Sequence, residues 1–229
     1  MPLVSMRQLL DEGARGGYGV GAFNVNNMEQ IQGIMEAARE TAAPVIVQAS
    51  RGGRSYAGDR FLYHLMLAAA EEYPDIPVAL HQDHGNSPAT CVSAIELGFT
   101  SVMMDGSLLE DGRTVADYEY NVQVTREVVE YAHAEGIRHG VRKINVDTDG
   151  RLAITAAVRE AIAAKPQEFD PRHFTRASRE GMRQIVAERI RQFGQAGHAG
   201  DYEPLGLDAM RRGYEGEAAV APERTGATT

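Results

Sequence analysis

Short apolar runs that each end in a polar residue recur along this chain, with segments of helical period between them, and few folds admit that alternation. The runs lie at residues 19–25, 44–50, 77–84, 101–105 and 141–147, and they close on Asn24, Ser50, Asp83, Asp105 and Asn145/Asp147. Near-continuous apolar runs are the mark of parallel strands buried on both faces. Strands alternating with helices predict an α/β fold with a parallel sheet. In such folds the C-terminal ends of the strands form the face where ligands bind.

The helical segments carry their own signals. Asn27 and Gln30 form a capping box ahead of Met28, Ile31, Met35 and Ala38. Thr114 with Asp117 predicts a helix start. Its expected inner stripe is Tyr118, Val122, Thr125, Val129 and Ala132, and Gly136 is the expected C-cap. Further helices are expected near 5–13, 150–164 and 176–193, the last with Met182, Val186, Ile190 and Phe193 on one face. Residues 1–212 read as one domain. Residues 213–229 are small, polar and aperiodic, the pattern of a disordered tail.

Composition excludes several roles. The net charge of −9 argues against a nucleic-acid face built on basic residues. No apolar run reaches the roughly 18 residues of a membrane span. The N-terminal residues show no signal-peptide pattern, and a single cysteine, Cys91, fits a reducing, cytoplasmic setting. Cys91 is expected to be a buried apolar group.

The chemistry concentrates at the strand ends. His81-Gln82-Asp83-His84 sets a carboxylate beside an imidazole, a pairing that can hold a divalent metal and move a proton. The plainer alternative is a polar strand end that caps the next helix. In Ser50-Arg51-Gly52-Gly53-Arg54-Ser55 the glycine pair can let backbone approach an anion, or serve only as a flexible loop. Asn145-Val146-Asp147-Thr148-Asp149 suits a phosphate or hydroxyl group at a helix N-terminus, or an ordinary N-cap. Asp105 either orients a ligand histidine or turns the chain before Gly106. Arg172 lies in a late loop and matters only if a neighbouring subunit uses it.

Taken together, Ala22-Phe23-Asn24, the run from Pro44 to Ser50, His81-Gln82-Asp83-His84-Gly85-Asn86 and Asn145–Asp149 resemble the class II, metal-dependent fructose-1,6-bisphosphate aldolases of the bacterial glycolytic and Calvin-cycle type. The resemblance implies an eightfold β/α barrel, a zinc-type ion and a phosphorylated sugar substrate. It implies Asp83 as the acid/base group and His84 as a metal ligand. Asn24, Ser50, Asn145, Asp147 and Thr148 would contact substrate, with Asp105 and His81 standing behind and orienting these groups. Arg172 would bind phosphate in an adjacent subunit, which makes the chain a homo-oligomer.

Such barrels have eight strand–helix units, and five strands are readable here. The resemblance therefore implies that three internal units have no counterpart, with the join at Gly136–Ile137. Those units would carry a glutamate, two further metal-binding histidines and a phosphate loop, so metal binding is expected to be weak. Turnover is expected to be negligible, the alternative role being a phosphosugar-binding subunit. A Schiff-base route through Lys143 is disfavoured, because Asp83 and Asp147 would stabilise its charge. The helix ending at Gly136 is expected to cross over and pair the fourth and fifth strands in parallel, in an open or distorted sheet.

Overall fold

In the computed structural model, residues 3–111, 113–134 and 143–202 are described; the expected tail and the join lie outside them. Five parallel strands form one sheet: β1 (Val20–Asn24), β2 (Val45–Ser50), β3 (Val78–Gly85), β4 (Ser101–Met104) and β5 (Lys143–Val146). Their order is β4-β3-β2-β1-β5.

The order corrects one expectation. β5 pairs with β1, with Phe23 opposite Val146 and Ala22 opposite Asn145, and among the described residues it does not pair with β4. The cause lies in the helices that follow it. α7 (Thr148–Ala164) and α8 (Pro171–Gln192) pack on each other, and α8 packs along α2 (Met28–Glu40), the helix after β1. That helical sandwich draws β5 to the β1 side. A last strand beside the first is the arrangement of a closed β/α barrel, and among the described residues no strand joins β4 to β5.

The α2–α8 contact depends on a missing side chain. A Cβ on Gly33 would stand 2.7 Å from the Arg179 carbonyl and 2.8 Å from the Met182 Cβ. Outside this contact, Glu36 pairs with Arg179, and Glu40 accepts from Arg191 at 2.8 Å.

Alternation along the strands sorts the two faces of the sheet. Phe23, Val45, Val47, Leu80 and Val102 pack under the surrounding helices with Ile34, Met35, Leu62 and Ile190. Val20, Ala22, Ile46 and Ala79 point the other way. They are covered at the N-terminal end by α1 (Met6–Gly16) through Met6, Leu9 and Leu10. Ser5 caps α1 by accepting from the Gln8 N–H at 3.1 Å, and Gly17 closes it with φ 73. With that end plugged by apolar groups, the strand C-termini are left as the mouth.

Local starts and stops follow capping chemistry, with some surprises. Asn27 accepts from the Gln30 N–H at 3.0 Å, and Gln30 accepts from the Asn26 N–H at 2.6 Å. Met28 in that helix is 48% exposed, so only Ile31, Met35 and Ala38 of its expected face are buried. α8 begins at Pro171 behind an Asp170 cap, five residues earlier than 176. α6 (Tyr118–Ala134) starts at Tyr118 and not at Thr114, because Thr114 Oγ1 donates to Asp111 at 2.6 Å and Asp117 takes the cap by accepting from Tyr120. Among its described side chains Val124 and Val128 are buried, while Tyr118 is 78% exposed. Tyr118 and Thr125 of the expected stripe are thus exposed, and Val129 and Ala132 have side chains outside the described residues.

Between the strands lie α3 (Arg51–Ala57), α4 (Asp59–Glu72) and α5 (Pro88–Leu97). The first of these corrects the reading of the glycine pair as a loop. Ser50 accepts from the Gly53 N–H at 3.1 Å, and the helix begins directly at the strand end. Among the described residues, no helix is long and apolar enough to cross a membrane.

Candidate active site

β3 delivers the central pair. Strand alternation turns His81 and Asp83 to the inner face, with 4% exposure each, and sends Gln82 outward beneath the helices. His84 has φ 49, a left-handed conformation uncommon for a side chain of its size, and this swings its ring back to the mouth beside Asp83. The β3–β4 register slips between Gln82 and Gly85, at the same place.

Around Asp83 the contacts are close. Asn145 Nδ2 donates to Asp83 Oδ1 at 3.5 Å, bringing β5 to β3 across the sheet's concave face. His81 Nε2 lies 4.0 Å from Asp83 Oδ1, and His84 Nε2 lies 3.9 Å from Asp83 Oδ2. His81 Nδ1 is 2.8 Å from Ser101 Oγ, and His84 Nδ1 is 2.7 Å from Asp105 Oδ2. Asp105 accepts from the Ser107 hydroxyl and amide. That bond, more than its contact with His84, holds its carboxyl below the ordinary carboxylate range. One layer down, Gln48 Nε2 donates to Asn24 Oδ1 at 2.5 Å.

Asp83, His84, Asn145 and Asn24 line a cavity of about 560 Å³. Of the residues singled out by sequence, Asn24, Ser50, Asp83, His84, Asn145, Asp147 and Thr148 all reach it. Asp105 and His81 stand behind its wall. Arg172 lies outside this chain's own cavity. Its side chain is 87% exposed and it donates to Asp170 at 2.9 Å. The side chain of Lys143 lies outside the described residues.

Two arginines of the cavity wall were not anticipated. Arg151 donates to Asp147 at 2.9 Å, and Arg189 donates to Asp149 at 2.7 Å. Both cations are thus neutralised by the Asn145–Asp149 run. Asp147 sits at the cap position of α7 but makes no side-chain cap, its carboxylate being turned to Arg151. Arg151 stands three residues beyond Thr148 and was legible as a neighbour. Arg189 comes from the far end of α8, and nothing in its local pattern marks it.

A catalytic zinc site takes three protein ligands. At this mouth, His84 spends Nδ1 on Asp105, and Asp105 is also held by Ser107. Among the described residues, no three His, Cys, Asp or Glu side chains come together in a way that could hold an ion. His198 is bound to Asp201 beside Tyr18, at the plugged end. The described donor set does not fit a resident metal.

A parallel β/α sheet that gathers a carboxylate and two imidazoles at its strand C-termini has the layout of the β/α-barrel enzymes, whose sites lie at that face. A model described as "Fructose-bisphosphate aldolase class-II" matches residues 4–138 and 134–198. Its two pieces meet where the sequence places the internal join. The fructose-bisphosphate aldolase of Nostoc commune is 39% identical over 344 aligned positions, covering 93% of this chain and 96% of the relative. The class 2 fructose-bisphosphate aldolase of Synechocystis is 39% identical, covering 98% and 99%. The alignments run well past the 229 residues of the chain, so a long internal stretch of each relative has no counterpart here. The crystal structure of the YdjI aldolase of Escherichia coli K12 superimposes with a TM-score of 0.75 at 22% identity, over 86% of this chain and 99% of that one. The chain belongs to the class-II fructose-bisphosphate aldolases, a family of carbon–carbon lyases.

Proposed function

We propose that this chain binds a phosphorylated ketose, fructose 1,6-bisphosphate or a close relative, and holds the acid–base half of the aldol site. The family reaction is reversible cleavage to dihydroxyacetone phosphate and glyceraldehyde 3-phosphate. In the cleavage direction a base removes the proton from the hydroxyl next to the breaking bond. That carbon becomes a carbonyl, and the bond's electron pair moves into the enediolate of the other product. The observation that carries the reading is Asp83, buried at 4% and flanked by Asn145 and two imidazoles at the cavity wall. Its carboxylate is the group able to take and return that proton. Asn24, Ser50 and Asn145 are placed for substrate hydroxyls, and Thr148 with the first turn of α7 for a phosphate.

The enediolate needs an electrophile, and the described residues do not build one. On the described residues, therefore, the site is expected to bind substrate without turnover. Calorimetric titration with fructose 1,6-bisphosphate, alongside a coupled cleavage assay with added Zn²⁺, tests both parts. Binding weakened by Asn24→Ala, with no cleavage above background, is expected. Absence of binding would overturn the reading of the cavity. Metal-dependent cleavage abolished by Asp83→Ala would overturn the statement on turnover.

The setting we assign is cytoplasmic and homo-oligomeric. Support for the second point is the hairpin of α7 and α8, whose tip carries Phe169 at 91% exposure and an exposed Arg172 that is paired with Asp170 and would exchange that partner for a phosphate of a neighbouring subunit. Sedimentation of the full chain measures it, and a strictly monomeric species would sink it.

A further inference from the structure

We infer that Arg54 is a positioning residue for the site, fixing the end of β3 on which Asp83 and His84 stand by way of the Gln82 carboxamide. Arg54 is a buried cation, 4% exposed, in the segment read from sequence only for its glycine pair. Every arm of its guanidinium is engaged. Nε and Nη2 grip the Asp59 carboxylate at 2.9 and 2.8 Å. Nη2 also donates to Ser93 Oγ at 3.0 Å, and Nη1 donates to Gln82 Oε1 at 2.7 Å and more weakly to the Thr90 carbonyl at 3.3 Å. The group also lies 5.7 Å from the Phe99 ring centre.

The next link is the one that matters. Gln82, fully buried, donates its Nε2–H to the carbonyl of Asp83 at 2.8 Å. This is the peptide unit that leads into the left-handed turn at His84. On the β4 side the ladder is broken there, because the register slips between Gln82 and Gly85. The backbone that aims Asp83 and His84 thus lacks regular strand pairing on that edge, and a side-chain strut stands in its place. One end of the strut is Arg54 on α3, whose cap is Ser50 at the end of β2. The same cation therefore ties together the strand ends that carry Ser50 and Asp83. An unpaired guanidinium at this depth would be costly, which gives the strut a fixed geometry. The inference rests on the reading of Asp83 as the acid–base group, and its test uses no substrate.

The readout is the conformation of His84 in the folded protein. The ¹³Cα and ¹³Cβ shifts of a residue with positive φ differ from those of a strand residue, and the imidazole ¹⁵N shifts report its bond to Asp105. Three variants separate the roles. Arg54→Met removes the strut. Gln82→Glu keeps an acceptor for Arg54 but loses the donor to the Asp83 carbonyl. Ser93→Ala loosens Arg54 without touching Gln82. We expect Gln82→Glu, and Arg54→Met where it folds, to lose the left-handed signature of His84 and its Asp105 bond, with Ser93→Ala unchanged. A folded Gln82→Glu protein with wild-type His84 shifts would overturn the inference, whatever happens to its melting temperature. Failure of the chain to bind a sugar phosphate leaves these spectra unaffected and counts only against the functional reading.

Discussion

His84 Nδ1 and Asp105 Oδ2 meet at 2.7 Å across the β3–β4 pair, and the contact exists because His84 is held at φ 49. In an extended conformation the same side chain would follow Gln82 to the opposite face. A positive φ costs a residue with Cβ about 1 kcal/mol or more, and asparagine and glycine bear it best.

The cost can be measured by substitution. His84→Asn removes the ring and keeps a residue tolerant of the left-handed region, whereas His84→Val places a branched side chain there. We expect His84→Val to be less stable than His84→Asn by about 1–2 kcal/mol in urea unfolding. Equal midpoints and slopes for the two would show that the turn carries no such strain.

The close approach of α2 and α8 leads to a second expectation. Alanine normally strengthens a helix relative to glycine by about 1 kcal/mol. At Gly33 the added Cβ would meet the Arg179 carbonyl at 2.7 Å, and backbone cannot rotate away as a side chain can. Gly33→Ala should therefore destabilise by about 1–3 kcal/mol net, the ordinary range for overpacking. Because α8 is part of what draws β5 to β1, the Asn145–Asp83 contact should loosen as well. A variant as stable as wild type would mean that the helices separate at no cost.

How much of this was legible in the sequence depends on the range of each interaction. β1, β2 and β3 were readable because both faces of each are almost wholly buried, so the apolar run is nearly continuous. That Asp83, His84 and Asn145 reach one mouth was readable because each stands at or near the end of such a run, and parallel strands end on one face. The start of α6 was misread because Thr114 is a good cap by type, and nothing local says that Asp111 takes its hydroxyl. Its buried face was misread in part: among the described side chains α6 buries Val124 and Val128, while Tyr118 and Thr125, which fit a helical period equally well, are exposed.

Other features were decided at long range. The pairing of β5 with β1 is set by the packing of α8 on α2, which joins residues far apart in the chain. Arg54 was illegible for the same reason. Nothing in its local pattern marks it, and its partners Gln82 and Ser93 arrive from β3 and α5.

The ion pairs around α8 give a pH dependence with a definite sign. Glu180 accepts from Arg183 at 2.6 and 2.9 Å, and this pairing holds its carboxyl down at about 2, against an ordinary value near 4.5. Its folded-state pKa is depressed, so its contribution is present above the unfolded value and is lost as pH falls from about 4.5 towards about 2. Half of the Glu180 side chain is exposed, so solvent screening keeps the effect small. Glu180→Gln should lower the melting temperature slightly at pH 7, with the gap to wild type closing as pH drops through that window. A gap that stays constant down to pH 2 would show that the pair does not stabilise the fold.

The last expectation concerns the two edges of the sheet. Among the described residues, β4 pairs only with β3 and β5 only with β1. A closed barrel leaves no such edges, whereas parallel strands with one side open offer peptide groups to any chain that can extend the sheet. The edges are also unlike each other: a parallel sheet extended from β4 presents to its neighbour the side that β5 leaves open. Two copies can therefore pair edge to edge without matching identical surfaces, and such a contact need not close on itself. We expect the weight-average mass in sedimentation equilibrium to rise with concentration, and thermal unfolding to be broad. Introducing a proline within β4, as Met103→Pro, should suppress association by removing an edge donor and its pairing geometry, provided circular dichroism retains the helical content. A monomer at all concentrations with a single sharp transition would show that the open edges are covered by this chain itself.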